Sequence, residues 1–184
     1  MWKDSLGLQG YFKIDTYDLD GNLLDTFEEK NLIMDKGRNN LASYSAGFGG
    51  SPITKFVLGT QGHGLSLLDP KTALDGFVSS RTKLFSEDST SYEYYISFVP
   101  TTNGGFATVT ETNAGAGSKV KVSVATNLIT YEIEVAGNAA NNGGSVPYTE
   151  AGFYAGTNLF AMRCYPVRVK DISTRLVITW QFQF

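Results

Sequence analysis

The chain has 184 residues, a length suited to one domain, and its 42% hydrophobic content is enough to build a core. A net charge of −3 argues against a nucleic-acid binder, which normally shows a basic face, and one cysteine cannot form an internal disulfide. No apolar run approaches the roughly 20 residues of a membrane-spanning helix, so neither nucleic acid nor membrane is expected as a partner.

The start, Met1-Trp-Lys-Asp-Ser, is polar and lacks a signal-peptide pattern, so synthesis in a cytoplasm is expected. Residues Leu8 to Tyr17 alternate as a strand, with Phe12 and Ile14 on one face. Asp18-Leu-Asp-Gly-Asn22 is a hairpin turn, because Asp-Gly supplies the positive φ such a turn needs, and Leu23 to Phe27 is its partner strand. The spacing of Asp18, Asp20, Asn22 and Glu29 also suggests a calcium loop, but no helical pattern flanks it, so no metal site is assigned. Glu28 to Ser45 reads as the one helix, centred on residues 31–45. Asn31 is its candidate cap, Leu32, Met34, Leu41 and Ala42 its inward face, and Gly37 its weak point.

Ile53 to Gly59 is an apolar strand. The loop Thr60-Gln-Gly-His-Gly64 holds the only histidine, His63. It lacks the lysine and following helix of a phosphate-binding loop, and no second His or Cys stands near it as a metal ligand. It reads as a surface loop, and Asp69 to Val78 as a link crossing a sheet edge. Ser79 to Phe85 reads as a strand. Tyr92 to Val99 follows, with Tyr92, Tyr94, Ile96 and Phe98 on one face; then Phe106 to Thr112, Lys119 to Ala125 and Leu128 to Ala136. Glu132 and Glu134 project from one face of a strand, a pattern of solvated positions rather than of a glycosidase pair. Tyr92, Tyr94, Tyr95 and Tyr131 offer either a sugar platform or, more simply, part of the core. Gly137 to Ser145 is a loop without an apolar anchor.

Tyr148 to Tyr154 is a strand, Ala155 to Asn158 a turn and Leu159 to Tyr165 the return strand, with Phe160, Met162 and a buried Cys164 on one face. Pro166 ends that strand, and Val167 to Thr174 links it to the last one. There Leu176, Ile178, Trp180, Phe182 and Phe184 alternate with polar or β-branched residues, a half-buried strand that must be covered. About ten short strands and one helix make an all-β, antiparallel β-sandwich of jelly-roll-like type, a single domain over residues 1–184 with a C-terminal β-element at 148–184.

Several of these segments have a recognisable order. Glu150 followed by Ala-Gly-Phe-Tyr154, a small turn, Leu159-Phe-Ala161, Arg163, Pro166, Lys170, Leu176, Ile178-Thr-Trp180 and a further Phe is one. Asn31-Leu-Ile-Met-Asp-Lys-Gly-Arg-Asn-Asn-Leu-Ala42 followed by Ile53 to Thr60 is another. Together they resemble bacteriophage virion structural proteins of the tail, baseplate and fibre. The resemblance implies a structural component of a virion, in the tail, baseplate or neck, that works through contacts with other virion proteins and with copies of itself. It implies a location in the virion and a symmetric homo-oligomer. A capsid decoration protein is the alternative of the same class; a carbohydrate-binding receptor-recognition module, with a host surface glycan as ligand, is the alternative of another. No catalytic residue, cofactor-binding residue, metal ligand or cofactor is assigned, and the chain is expected not to be an enzyme.

Overall fold

The computed structural model describes residues 7–88, 93–101, 104–111 and 117–184. Among the described residues eleven strands form two sheets in which every pairing is antiparallel: a five-stranded sheet ordered β2-β1-β11-β8-β7 and a six-stranded sheet ordered β3-β10-β9-β4-β5-β6. The first contains β1 (Gln9–Asp18), β2 (Leu23–Lys30), β7 (Lys119–Ala125), β8 (Leu128–Val135) and β11 (Thr174–Gln183). The second contains β3 (Leu32–Ile33), β4 (Ile53–Gly59), β5 (Glu93–Val99), β6 (Thr108–Glu111), β9 (Val146–Ala155) and β10 (Asn158–Lys170). The expected antiparallel sandwich with one helix is the fold. The expected face of Tyr94, Ile96 and Phe98 is buried, while Tyr92 lies outside the described residues, as does Thr112 at the end of the strand expected from Phe106.

The last strand occupies the middle of its sheet, between β1 and β8. Its period-2 pattern therefore delivers Leu176, Ile178, Trp180 and Phe182 into the space between the sheets, all four fully buried. Trp180 meets Phe12 edge-on at 4.9 Å and Phe153 of the facing sheet at 4.8 Å, and Phe153 meets Tyr131 at 4.7 Å. Ring pairs at such separations add to the area they bury. Phe184 departs from the pattern. It follows the last paired residue and is 40% exposed, held by a backbone bond from its N–H to Asn127 O.

The five-stranded sheet is joined to its neighbour on both sides. After β2 the chain passes through Asn31 directly into β3, the edge of the other sheet. On the opposite side the N–H groups of Gly104 and Ala107 donate to Val122 O and Val120 O of β7, just before β6 begins.

The helix is shorter than expected. α1 spans Asp35–Ser45 and starts after Met34, because Leu32 and Ile33 pair with Met162 and Ala161 of β10 instead of turning. Asn31 is therefore no cap. Gly37 is the residue that lets the helix lie on β10: a Cβ there would stand 2.2 Å from the Phe160 carbonyl oxygen. Further differences have equally local causes. The register of β10 slips between Leu159 and Ala161, so Phe160 enters the core between the sheets while Met162 and Cys164 face outward. A second slip between Cys164 and Arg168 accommodates Pro166, and the strand continues to Lys170 instead of ending. Residues 79–85 form turns rather than a strand. Ala139 and Ala140 anchor the loop after β8 in the core, where Tyr148 Oη donates to Ala140 O.

The burial difference within the last three residues sets a test. Phe182→Ala should cost about 3–5 kcal/mol by urea denaturation, as buried phenylalanines do, whereas deleting Phe184 alone should cost well under half of that. Equal losses would mean that the chain end is as deeply packed as Phe182.

Candidate functional site

The strand β9 is buried on both faces, since every residue but Pro147 is inaccessible. One face looks into the core; the other needs a cover. That cover is residues 60–88, which run over the outside of the six-stranded sheet with no strand pairing to it. Beneath lies a second apolar cluster of Met34, Val57, Leu84, Tyr154, Leu159, Met162 and Cys164.

Glu150, fully buried in β9, holds the cover in place. Its Oε2 accepts from Phe85 N–H at 2.9 Å, and its Oε1 from Ser86 N–H at 2.7 Å and Ser86 Oγ at 2.5 Å. Ser86 Oγ in turn accepts from Thr60 N–H at 2.7 Å and Gln61 N–H at 3.2 Å. One carboxyl thus ties the two ends of the cover together. Next to it Gly62 N–H donates to Thr149 Oγ1, and a Cβ on Gly62 would stand 2.4 Å from Thr149 O. The Tyr154 hydroxyl donates to Glu87, which also accepts from Leu84 N–H. Burial pushes the Glu150 carboxyl above its ordinary value of 4.5, opposed by the hydrogen bonds from Ser86, Phe85 and Gln61. Nothing in the sequence analysis singled out Glu150 structurally. The available signal was an acid inside the apolar run Tyr148 to Ala155, where a charge needs several donors.

The outer side of the cover displays large apolar side chains among polar ones. Leu65 and Leu74 are 108% and 99% exposed, and Leu67, Leu68 and Val78 stand near them in sequence, also exposed. A second exposed group comprises Leu19 and Ile172, in the turns after β1 and β10, and Leu23 and Leu24, which open β2. At the end of the sandwich covered by α1, a cavity of about 230 Å³ opens between Tyr44, Pro52, Pro100, Tyr131, Phe182 and Phe184. Tyr44 is 62% exposed and Phe48, beyond the helix, is 87% exposed.

The residues weighed from the sequence are scattered. His63 lies in the cover, half-buried, bridged to Pro70 and with Nδ1 beside Gly64 O. Its loop is packed against β9 rather than free at the surface. Asp18 receives Asn22 N–H and side-chain Nδ2, which makes a closed hairpin turn. Glu132 and Glu134 pair with Lys121 and Arg175, each at 3.4 Å. Tyr94 and Tyr131 are buried, and Tyr95 lies against Lys55, so these tyrosines form no common platform. Cys164 is buried, and burial pushes its thiol well above its usual range. Among the described residues no group of three or more His, Cys, Asp or Glu side chains gathers in a geometry for a metal ion. No helix is long and apolar enough to cross a membrane. Compared with protein-family models, with curated proteins and with solved structures, the chain matches none of them.

Two outcomes follow from the geometry. A group whose folded value is raised contributes stability below its unfolded value and loses it as the pH rises through the folded value. Against Glu150→Gln, which does not titrate, the wild type should therefore be relatively most stable below about pH 4.5 and lose that advantage as the pH rises, in urea titrations over a pH series. A constant or growing advantage would show that the donors outweigh burial. His63 has only local backbone partners among the described residues, so His63→Ala should change stability by no more than about 0.5 kcal/mol.

Proposed function

We propose that the protein is a structural component of a bacteriophage virion, placed in the tail, baseplate or neck, that acts through contacts with copies of itself and with other virion proteins. The observation that carries this reading is the display of large apolar side chains on well-anchored surface segments. Leu65 and Leu74 have almost no contact with their own chain, although the cover that bears them is fixed by a buried carboxylate network. Contiguous exposed apolar groups on a folded domain mark interaction sites. The order of Glu150, Pro166, Lys170 and the Leu176-to-Phe184 strand, resembling phage virion proteins, directs the choice of partner class. In the same class, capsid decoration uses the same surfaces.

A second reading, a carbohydrate-binding receptor module, is favoured by the cavity beside α1. Tyr44 and Phe184 are partly exposed there, and the apolar wall between them suits the face of a sugar ring.

Immunogold electron microscopy of virions, with antibody raised against the purified chain, tests the first reading. Label at the tail, baseplate or neck supports it, label over the head supports decoration, and absence of the chain from purified virions by mass spectrometry overturns both. Leu74→Asp should leave the melting temperature within about a degree while weakening incorporation, because so exposed a side chain contributes little to folding. Glycan-array binding that disappears in Tyr44→Ala would favour the second reading.

A further inference from the structure

We propose that residues 60–88 form a latched strap that opens as a unit while the sandwich beneath it stays folded, uncovering the outer apolar face of the six-stranded sheet. Three observations support it, none dependent on the virion reading. First, little of the strap is buried: only Gly62, Leu84 and Ser86 are, with Phe77 and Phe85 partly buried against the outer cluster, whereas β9 beneath it is buried almost throughout. Second, its own bonds are local. Gly64 N–H donates to Asp69 O, Lys71 N–H to Gly62 O, and Asp75 and Phe77 N–H to Thr72 O, so the strap keeps its shape without the sheet. Third, its hydrogen bonds to the body are concentrated at a few points. Among the described residues they include the Glu150 network with Phe85 and Ser86, Tyr154 with Glu87 and Leu84 N–H, Gly62 to Thr149, Asp35 N–H to Ser79 O and Val167 N–H to Leu67 O.

Segments with few buried contacts and concentrated attachments open below the free energy of global unfolding. Opening this one leaves the core between the sheets intact, since Leu84 is its only fully buried apolar side chain and belongs to the outer cluster. Ser86 is the latch. Its hydroxyl joins Glu150 to the backbone at residues 60 and 61, so losing it unties the two ends of the strap from each other and weakens the attachment of both.

The one cysteine of the chain reports the opening, because Cys164 is fully buried in the cluster under the strap. The experiment is the reaction of the native protein with Ellman's reagent across urea concentrations below the global transition. It is run on the wild type, on Ser86→Ala and on Ile133→Val, whose site lies in the core between the sheets. The expected result is labelling with a shallower urea dependence than global unfolding. Labelling should be about tenfold or more faster in Ser86→Ala, which removes hydrogen bonds to a charged group. It should be unchanged in Ile133→Val, although that variant lowers global stability. In parallel, hydrogen exchange of the wild type should show the Phe85 and Ser86 amides exchanging through the same shallow opening, and those of Phe153 and Ile178 only through global unfolding. Labelling that accelerates in Ile133→Val in step with its lost stability, or amides of strap and sheet that exchange together, would show a single cooperative unit and overturn the proposal. An unchanged labelling rate in Ser86→Ala would do the same.

Discussion

A sheet whose central strand is buried on both faces cannot stand alone, and much of this molecule follows from that constraint. β9 carries Phe153 and Tyr148 toward one cluster and Tyr154 toward another. The first face is closed by the five-stranded sheet, the second by a segment without regular pairing. Such a segment brings backbone N–H groups to an apolar surface, and each would be costly if left unpaired. Glu150 answers this by supplying acceptors where no ladder exists: the N–H groups of Phe85 and Ser86 bond to it directly, and those of Thr60 and Gln61 meet Ser86 Oγ beside it. No cation lies within ion-pair distance of Glu150 among the described residues, so backbone dipoles and a hydroxyl carry its compensation. The burial cost remains, which is why its carboxyl is displaced upward.

The sheet edges show a second use of side chains as backbone partners. β2 is exposed along nearly its whole length and would offer an open edge for another strand. Two arginines of β10 occupy it. Arg168 donates to Thr26 O and pairs with Asp25 at 3.2 Å; Arg163 donates to Lys30 O and pairs with Glu29. The carbonyls that a neighbouring strand would use are thereby engaged. Strand addition at this edge is disfavoured.

The sequence was most legible where one face of a strand was wet. β11, β8 and β7 alternate cleanly, so their limits, and the burial of Leu176 to Phe182, followed from period alone. It was least legible in β10 and the strap. Two register slips in β10 invert the alternation, which is how Phe160 was grouped with Met162 and Cys164 although the bulge sends it to the other side. Leu32 and Ile33 carry the same apolar signal in a helix or a strand, and only the presence of β10 beside them decides it. Residues 79–85 look like a strand because Val78, Leu84 and Phe85 are apolar, but their bonds go to side chains of β9 and to local turns. The weight of Glu150 was hidden for a related reason: its partners are backbone groups more than sixty residues away, which leave no trace in composition.

Three of the turns that carry exposed apolar residues are built alike. Asp18 closes the β1–β2 hairpin through Asn22, Asp75 and Thr72 cap one another beside Leu74, and Asp171 gathers Ser173 and Thr174 around Ile172. Each aspartate accepts several donors in its own turn, and these hydrogen bonds hold its carboxyl below the ordinary value of 3.8. Burial plays little part there. Local bonding of this sort fixes the backbone of a projection without using its apolar side chains, so those side chains stay available. A partner docking on Leu19, Leu74 or Ile172 would then meet a surface whose backbone is already ordered, and less of the contact energy is lost to ordering it. The interior is held by ring packing and the projections by short-range hydrogen bonds, and that division leaves apolar contact surface outside without weakening the core.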